Sequence, residues 1–325
     1  MPTRRAFLGT LAAAACAPEG RGVDTAAGTA DDPETLPPIT PNDEFYTVAI
    51  STWQPDEAWL SAWKLRLTTP EGVDALVSLD ELRAMPTNDV ERTISCIGST
   101  TGRFTGNAIW TVLAFRDLLD ALGIVTSAAY IRFTSGDGYA TTLPRDDIES
   151  GLGLALSMNG EDLPAGHGAP VRALVPGRYG MKNPKWIERI DLVEEWEAGT
   201  WEARGWSDTA EYQVASWFIK PDAYAAVAPE GGYIHGIAFA GEAGINKVEL
   251  SDDQGKTWFE AEIVYPGGPG VWTIWRAVWV PPKAGEYTLV VRATASDGRV
   301  QAYTEVYDAD LDGYEGFDQR TFVAT

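Results

Sequence analysis

The sequence predicts an α+β body followed by an antiparallel β-sandwich. Three observations predict it. Between about residues 40 and 205, short alternating strands are interrupted by short capped helices, without a regular βαβ rhythm. After residue 230 the helices stop, and alternating runs follow one another between Gly, Pro or Asp clusters. The chain has 325 residues, 45% hydrophobic and 11% aromatic, enough for two cores and too apolar for wholesale disorder.

Taken in order, Trp63 to Leu67 alternates as a strand. Ser78 to Met85 has a polar cap, i, i+3 apolar spacing and a stop at Pro86, which predicts a short helix. Val90 to Cys96 alternates again, and Phe115 to Leu122 predicts a second helix closed by Gly123. Tyr130–Phe133 and Pro170–Val175 read as further strands. Residues 206–229 read as a connector, and 230–325 as a sandwich of immunoglobulin type. Its expected strands are Tyr233–Ala240, Ile245–Ser251, Trp258–Val264, Trp272–Val280, Tyr287–Ala293 and Ala302–Tyr307.

The start of the chain reads as an address. MPTRRAFLGTLAAAAC pairs Arg4 and Arg5 with a short apolar run and small residues, the form of a twin-arginine export signal over residues 1–16. The run is far short of the roughly 20 residues a bilayer span requires. Cys16 follows three alanines and is a candidate lipid anchor; residues 17–39 are Ala, Gly, Pro and Asp rich, as a flexible tether is. The expected location is periplasmic or otherwise extracytoplasmic.

Charge and rare residues exclude several functions. Lys+Arg 25 against Asp+Glu 47 leaves a net charge of −22, which repels nucleic acid and anionic lipid. The two cysteines, Cys16 and Cys96, make no disulfide framework, no CxxCH haem attachment and no Cys-rich metal site. The two histidines, His167 and His235, make a His-built metal centre improbable. No flavin or nicotinamide fingerprint is present.

Two places concentrate chemistry. Cys96 ends an apolar strand and precedes the small-residue turn Ile97-Gly98-Ser99-Thr100-Thr101-Gly102, where a soft thiolate suits a soft metal or a nucleophilic role. A thiol nucleophile would need His167 or His235 as its base, and an inert buried cysteine is the plain alternative. Residues 163–187 hold His167, Arg172, Arg178, Lys182 and Lys185 and no acid, with Gly166, Gly168, Gly177 and Gly180 exposing backbone N–H groups. Such a window suits an anionic ligand, or its cations pair with carboxylates elsewhere.

Several strings carry a family resemblance. Asn42-Asp43-Glu44-Phe45-Tyr46, Thr93 to Gly98, Gly106 to Trp110, Phe115 to Leu119, Ser157 to Pro164, His167 to Arg172 and Val175 to Trp186 occur in order. Together the set resembles the sulfite oxidase family of molybdopterin enzymes. The later runs at 236–240, 248–258 and 272–276 are similar to that family's dimerisation domain. The resemblance implies a molybdopterin-binding catalytic domain over 40–205, with Cys96 the protein thiolate on molybdenum. It implies pterin and phosphate contacts from His167 and Arg172, with Lys182, Asn183, Pro184 and Lys185 closing the phosphate end. Asn42, Tyr46 and Ser135 fall at further pterin contacts, and Tyr139 matches the tyrosine facing the metal.

The implied reaction is oxygen-atom transfer, either sulfite-type oxidation or reduction of an S-oxide or N-oxide, with electrons exchanged with a separate protein such as a cytochrome. A homodimer is implied by the sandwich. The chain departs from the family's sulfite-binding pattern. Only Arg103 follows the cysteine closely, and Thr47-Val48-Ala49-Ile50 supplies no cation. Two other classes stay open: a Cys96-nucleophile hydrolase or transferase, and a non-catalytic exported anion-binding or adhesion protein.

Overall fold

A computed structural model describes residues 36–302, 312–313 and 316–325. The export signal, Cys16 and the tether up to residue 35 lie outside the described residues, as does nearly all of the strand expected at Ala302–Tyr307.

In the first half, five strands order as β2-β1-β10-β5-β6: β1 Lys64–Thr68, β2 Asp74–Ser78, β5 Tyr130–Ser135, β6 Ala140–Pro144 and β10 Ile187–Val193. A second sheet orders as β3-β4-β7-β8, from β3 Asn88–Ser95, β4 Thr105–Ala114, β7 Gly153–Met158 and β8 Glu161–Asp162, with β9 Arg172–Leu174 also pairing to β7. Leu65, Leu67, Ile131, Phe133, Leu154 and Val171, all fully buried, fill the space between these sheets. Burying each such side chain contributes about 1.5–3 kcal/mol.

Four helices occur among the described residues: α1 Glu57–Ala62, α2 Leu79–Arg83, α3 Phe115–Ala121 and α4 Asp146–Glu149. The cap expected at Ser78 is present as a reciprocal pair: Glu81 N–H donates to Ser78 Oγ at 3.3 Å and Ser78 N–H to Glu81 Oε2 at 2.8 Å. Gly123 follows α3 with φ +64, a left-handed turn that glycine adopts without strain. The helices are so short that the molecule is mostly β, a lower helical share than an α+β reading implies.

The second half contains two facing sheets. One orders as β11-β13-β17-β16 and the other as β12-β19-β18-β14-β15. Their strands are β11 Ala215–Lys220, β12 Ala226–Val227, β13 Gly232–Phe239, β14 Ile245–Ser251, β15 Phe259–Glu260, β16 Glu262–Tyr265, β17 Thr273–Trp279, β18 Gly285–Ala295 and β19 Asp318–Ala324. Phe218, Trp275, Val248, Leu250, Val291 and Phe322 are buried between them.

Four features differ from the sequence expectation. The single strand expected over Trp258–Val264 divides at buried Ala261, so β15 pairs with β14 and β16 with β17 in the opposite sheet. The expected connector contains β11, whose Ser216-Trp217-Phe218 run is buried without alternation and therefore lacks the period-2 signal. β19 lies where no strand was expected. β12 and β19 pair in parallel, so the sandwich is not wholly antiparallel.

The strand β3 is fastened to the second half. Thr93 N–H donates to Gly270 O at 2.9 Å, Trp272 N–H to Thr93 Oγ1 at 2.8 Å and Ser95 N–H to Tyr212 Oη at 3.2 Å. Arg92 pairs with Glu242. A further core joins Ile97, Tyr179 and Met181 to Trp217, Ile237 and Trp272.

Candidate functional site

Cys96 stands one residue beyond β3. Its N–H donates to Phe104 O at 2.8 Å, and its carbonyl accepts Ser99 N–H at 2.9 Å, so the chain turns at the thiol. The thiol is free and half-buried; burial pushes its pKa up, while a hydrogen bond from Gly98 N–H opposes that shift. It opens on a cavity of about 220 Å³.

The segment 163–187 forms much of the opposite wall. Gly168 has φ +117, and a Cβ there would stand 2.9 Å from Arg172 Cβ and 3.2 Å from Lys185 Cβ, so glycine permits these two side chains to converge. Arg172 is buried and donates only to the carbonyls of His167 at 3.1 Å and Asn183 at 3.3 Å. Its guanidinium lies 5.0 Å over the Trp110 ring, and its Nε has no partner. Lys185 Nζ donates to Gly166 O at 3.0 Å and lies 4.3 Å over the Trp186 ring. Burial lowers both, Arg172 to about 10 and Lys185 to about 8, and no carboxylate forms an ion pair with either among the described residues.

His167 Nε2 is 2.7 Å from Asn42 O and its ring meets Phe45 edge-on. Burial holds its pKa below the usual histidine value. A carbonyl can only accept, so Nε2 carries the hydrogen and Nδ1 is left as an acceptor. Tyr139 O–H donates to Met181 O at 2.5 Å, and burial raises its pKa well above that of a free phenol. Tyr46 is raised too, first by burial and then by Cys96. A Cβ on Gly180 would come within 2.9 Å of the Tyr46 hydroxyl, so a glycine lets the 180 turn pack against the end of β3.

The structure thus gathers Cys96, Tyr46, Tyr139, His167, Arg172, Asn183, Pro184 and Lys185 around one cavity. It separates the other expected residues. Arg103 is exposed and does not line the cavity, and it lies close enough to Arg320 to disfavour that residue's charge. Lys182 is 1% exposed and faces inward, paired with Glu202 and donating to Thr141 Oγ1 at 3.2 Å and Thr142 O at 3.1 Å. It therefore has no ammonium to offer at the cavity. Asn42 commits its amide to Asn159, Met158 and Glu161 and serves the site through the carbonyl that orients His167. Asn183 likewise spends its amide on Val175, Arg178 and Tyr179, and reaches the site through its backbone. Ser135 lies behind the wall, its hydroxyl buried without a partner.

Arg178, part of the same positive window, pairs with Asp147 at 2.8 Å. Sequence reasoning missed Asp137, Trp201 and Trp206, which also line the cavity. Asp137 was within reach, two residues before Tyr139. The tryptophans carry no sequence signal in a chain with 13 of them.

These residues fit a bulky anionic group carrying a soft metal. Among the described residues buried Arg172 and half-buried Lys185 form no ion pair, Arg172 Nε lacks an acceptor, and Cys96 lines the same space. Among the described residues no three His, Cys, Asp or Glu side chains converge, so a metal at Cys96 needs non-protein donors for its remaining positions.

Comparison with known proteins agrees. Residues 51–201 match the oxidoreductase molybdopterin binding domain, and residues 207–308 match the Mo-co oxidoreductase dimerisation domain. The chain belongs to the sulfite oxidase family of molybdopterin-dependent oxidoreductases. It is 27% identical to mitochondrial sulfite oxidase of Rattus norvegicus, over 82% of this chain and 58% of that protein. It is 30% identical to an uncharacterised oxidoreductase of Bacillus subtilis, over 45% of this chain and 73% of that one. The sulfane dehydrogenase SoxCD of Paracoccus pantotrophus has the same fold, with a TM-score of 0.74 at 18% identity, covering 88% of this chain and 81% of that one. The chain thus spans 58% of the length of the rat relative.

Proposed function

We propose that this chain is an exported molybdenum–molybdopterin enzyme that transfers an oxygen atom at a small substrate and exchanges electrons with a separate redox protein, a cytochrome by class. The observation that carries the reading is the thiol of Cys96 in one cavity with buried Arg172 and half-buried Lys185, neither of them in an ion pair among the described residues. When bound, the molybdenum–pterin group supplies the two-electron couple and the oxygen-accepting metal. Cys96 would then be the protein's donor to the metal, as a thiolate despite the burial that raises its pKa.

Arg172 and Lys185 would bind the anionic end of the cofactor, with Asn183 and Pro184 shaping the wall beside it and the Asn183 carbonyl holding the Arg172 guanidinium in place. His167 Nδ1 accepts a hydrogen bond from the pterin, in the orientation that Asn42 O imposes. Tyr46 offers a phenol beside the sulfur. The raised pKa of Tyr139 keeps its proton on oxygen at neutral pH, and since that proton is given to Met181 O the phenol oxygen faces the cavity as an acceptor. The residues from 230 on act as an immunoglobulin-like dimerisation unit, and residues 1–16 as the export address.

A thiol nucleophile is the poorer reading. Burial pushes the Cys96 thiol up rather than down, and no hydrogen bond joins it to a histidine among the described residues. The deciding experiment is metal and pterin analysis of the folded protein from a host that makes the cofactor. About one molybdenum per chain is expected, with the metal lost or its charge-transfer absorption altered in Cys96→Ser. A well-folded chain carrying neither metal nor pterin would overturn the reading.

A further inference from the structure

Three indoles lead from the cavity wall to the surface. Trp186 lines the cavity and is buried, fixed by its Nε1–H, which donates to Ala165 O at 2.6 Å. Its ring meets Trp53 edge-on at 5.5 Å between centroids, and Trp53 meets Trp59 edge-on at 5.3 Å. Rings at these separations touch. Gly136 permits the contact: a Cβ there would stand 2.7 Å from the Trp53 ring and 2.8 Å from the Trp59 ring, so any side chain would part them.

The outer end of this row is α1, and none of its six residues is buried. So short a helix does not stand on propensity; the half-buried Trp59 and the cap at Asp56, whose Oδ1 accepts Trp59 N–H at 2.7 Å, hold it in place. Leu60 is 36% exposed on it. Asp56 and Glu57 are exposed at one end and form no ion pair among the described residues. Glu188, exposed and likewise without an ion pair, follows Ile187, whose carbonyl accepts Trp63 Nε1–H at 2.9 Å just past the other end. The cation next in the chain, Lys64, already acts on Glu81. The face is thus apolar at its centre and acidic at its edges.

Resting on the molybdopterin reading, we propose that α1 is the docking face for the one-electron partner, a basic haem protein with an exposed apolar edge, and that Trp59, Trp53 and Trp186 couple that partner electronically to the cavity. Unpaired carboxylates around an apolar centre match lysines around an apolar haem edge, and a chain charge of −22 steers such a partner in. Touching rings replace passage through solvent by passage through packed atoms. The indoles themselves are neither oxidised nor reduced. Each turnover moves two electrons, one per encounter, so two partner molecules each change by one electron. The accompanying protons exchange with water at the cavity and do not cross the rings.

The test uses the full chain with its molybdenum content measured in every preparation, and mitochondrial cytochrome c as the basic haem protein. Docking is read by hydroxyl-radical footprinting of the mixture. Trp59 and Leu60 should be protected, while Val48 and Phe104 beside the cavity mouth react as in the chain alone. Electron exchange is read by reducing the loaded protein with viologen, removing the excess, and following the haem absorbance of added ferric cytochrome c. Ferricyanide, small enough to enter at the mouth, is the control oxidant. Asp56→Asn with Glu57→Gln keeps a capping oxygen for Trp59 N–H. It should lower the second-order rate with cytochrome c about tenfold at low salt, a gap that closes as salt rises, and leave the ferricyanide rate unchanged. Trp53→Leu should slow exchange at saturating cytochrome c without weakening its binding, and Trp53→Phe should restore much of the rate. Protection at Val48 and Phe104 in place of α1, or a cytochrome rate unmoved by the paired neutral substitutions, would overturn the docking face; a saturating rate unmoved by Trp53→Leu would overturn the indole path. A chain without molybdenum that still protects α1 with cytochrome c would uphold the docking face while the cofactor reading fails. A loaded chain whose α1 stays unprotected would sink the proposal and leave that reading intact.

Discussion

Arg172 and Lys185 differ from Arg178 and Lys182 in one physical respect, although all four lie within fourteen residues of one another. The second pair meets carboxylates: Arg178 binds Asp147, and Lys182 binds Glu202 at a site where both side chains are 1% exposed. The first pair donates to carbonyls and lies over indole rings, with no ion pair to a carboxylate among the described residues, the nearest charge being Asp137, which acts on Lys185 across the cavity wall. Burial without a counter-ion is costly, so those two cations are retained against their own stability, as residues that serve a ligand are. The lesson is that a positive window does not locate an anion site; the missing carboxylate does.

The strongest test of the contrast is to break the paired side. Lys182→Met leaves Glu202 charged and buried and should cost about 3–5 kcal/mol in denaturant unfolding, with most of it recovered in Lys182→Met/Glu202→Leu. A loss well under that range would mean that the pair is not the structural clamp described. Arg172→Gln should do the reverse. The cofactor-free protein should unfold at an unchanged or higher denaturant concentration, while pterin retention after dialysis weakens about 10- to 100-fold, the equivalent of one or two charge-assisted bonds. Parallel losses of stability and retention would erase the distinction between the two pairs.

The smallest effect is a pH slope. Lys185 titrates near 8 in the folded chain against an ordinary 10.5, because burial and then Arg172 disfavour its charge. Between those values the unfolded chain holds the extra proton, so the cofactor-free protein should gain stability as pH rises from about 8 toward 10.5. Retention of an anionic ligand should fall over the same interval as the ammonium discharges. Lys185→Met should flatten both curves, and curves unchanged by that substitution would assign the titration elsewhere.

Much of this site was legible in advance because its residues are scarce. One cysteine in the body, one of two histidines and an acid-free basic run single out Cys96, His167, Arg172 and Lys185 without any coordinates. What the sequence did not convey is direction. Nothing in the string around Lys182 says that it points at Glu202 twenty residues on, and nothing around Asn42 says that its carbonyl rather than its amide serves the site. Arg103 follows the cysteine closely in sequence, yet its side chain is exposed outside the cavity wall, which its neighbours in the string do not reveal. In the fold, alternating strands such as β13 and β14 were readable, whereas β11, buried without alternation, was hidden.

The fastening of β3 to the second half has a consequence for the sulfur. No described residue after Trp206 lines the cavity, yet Gly270, Trp272 and Tyr212 hold Thr93 and Ser95, the latter next to Cys96. At about 3.3 Å per residue, the anchor at Thr93 is roughly 10 Å of taut strand from the thiol. The thiol's position, and so the bite it offers a metal, is set by rigidity borrowed from atoms that never meet cofactor or substrate.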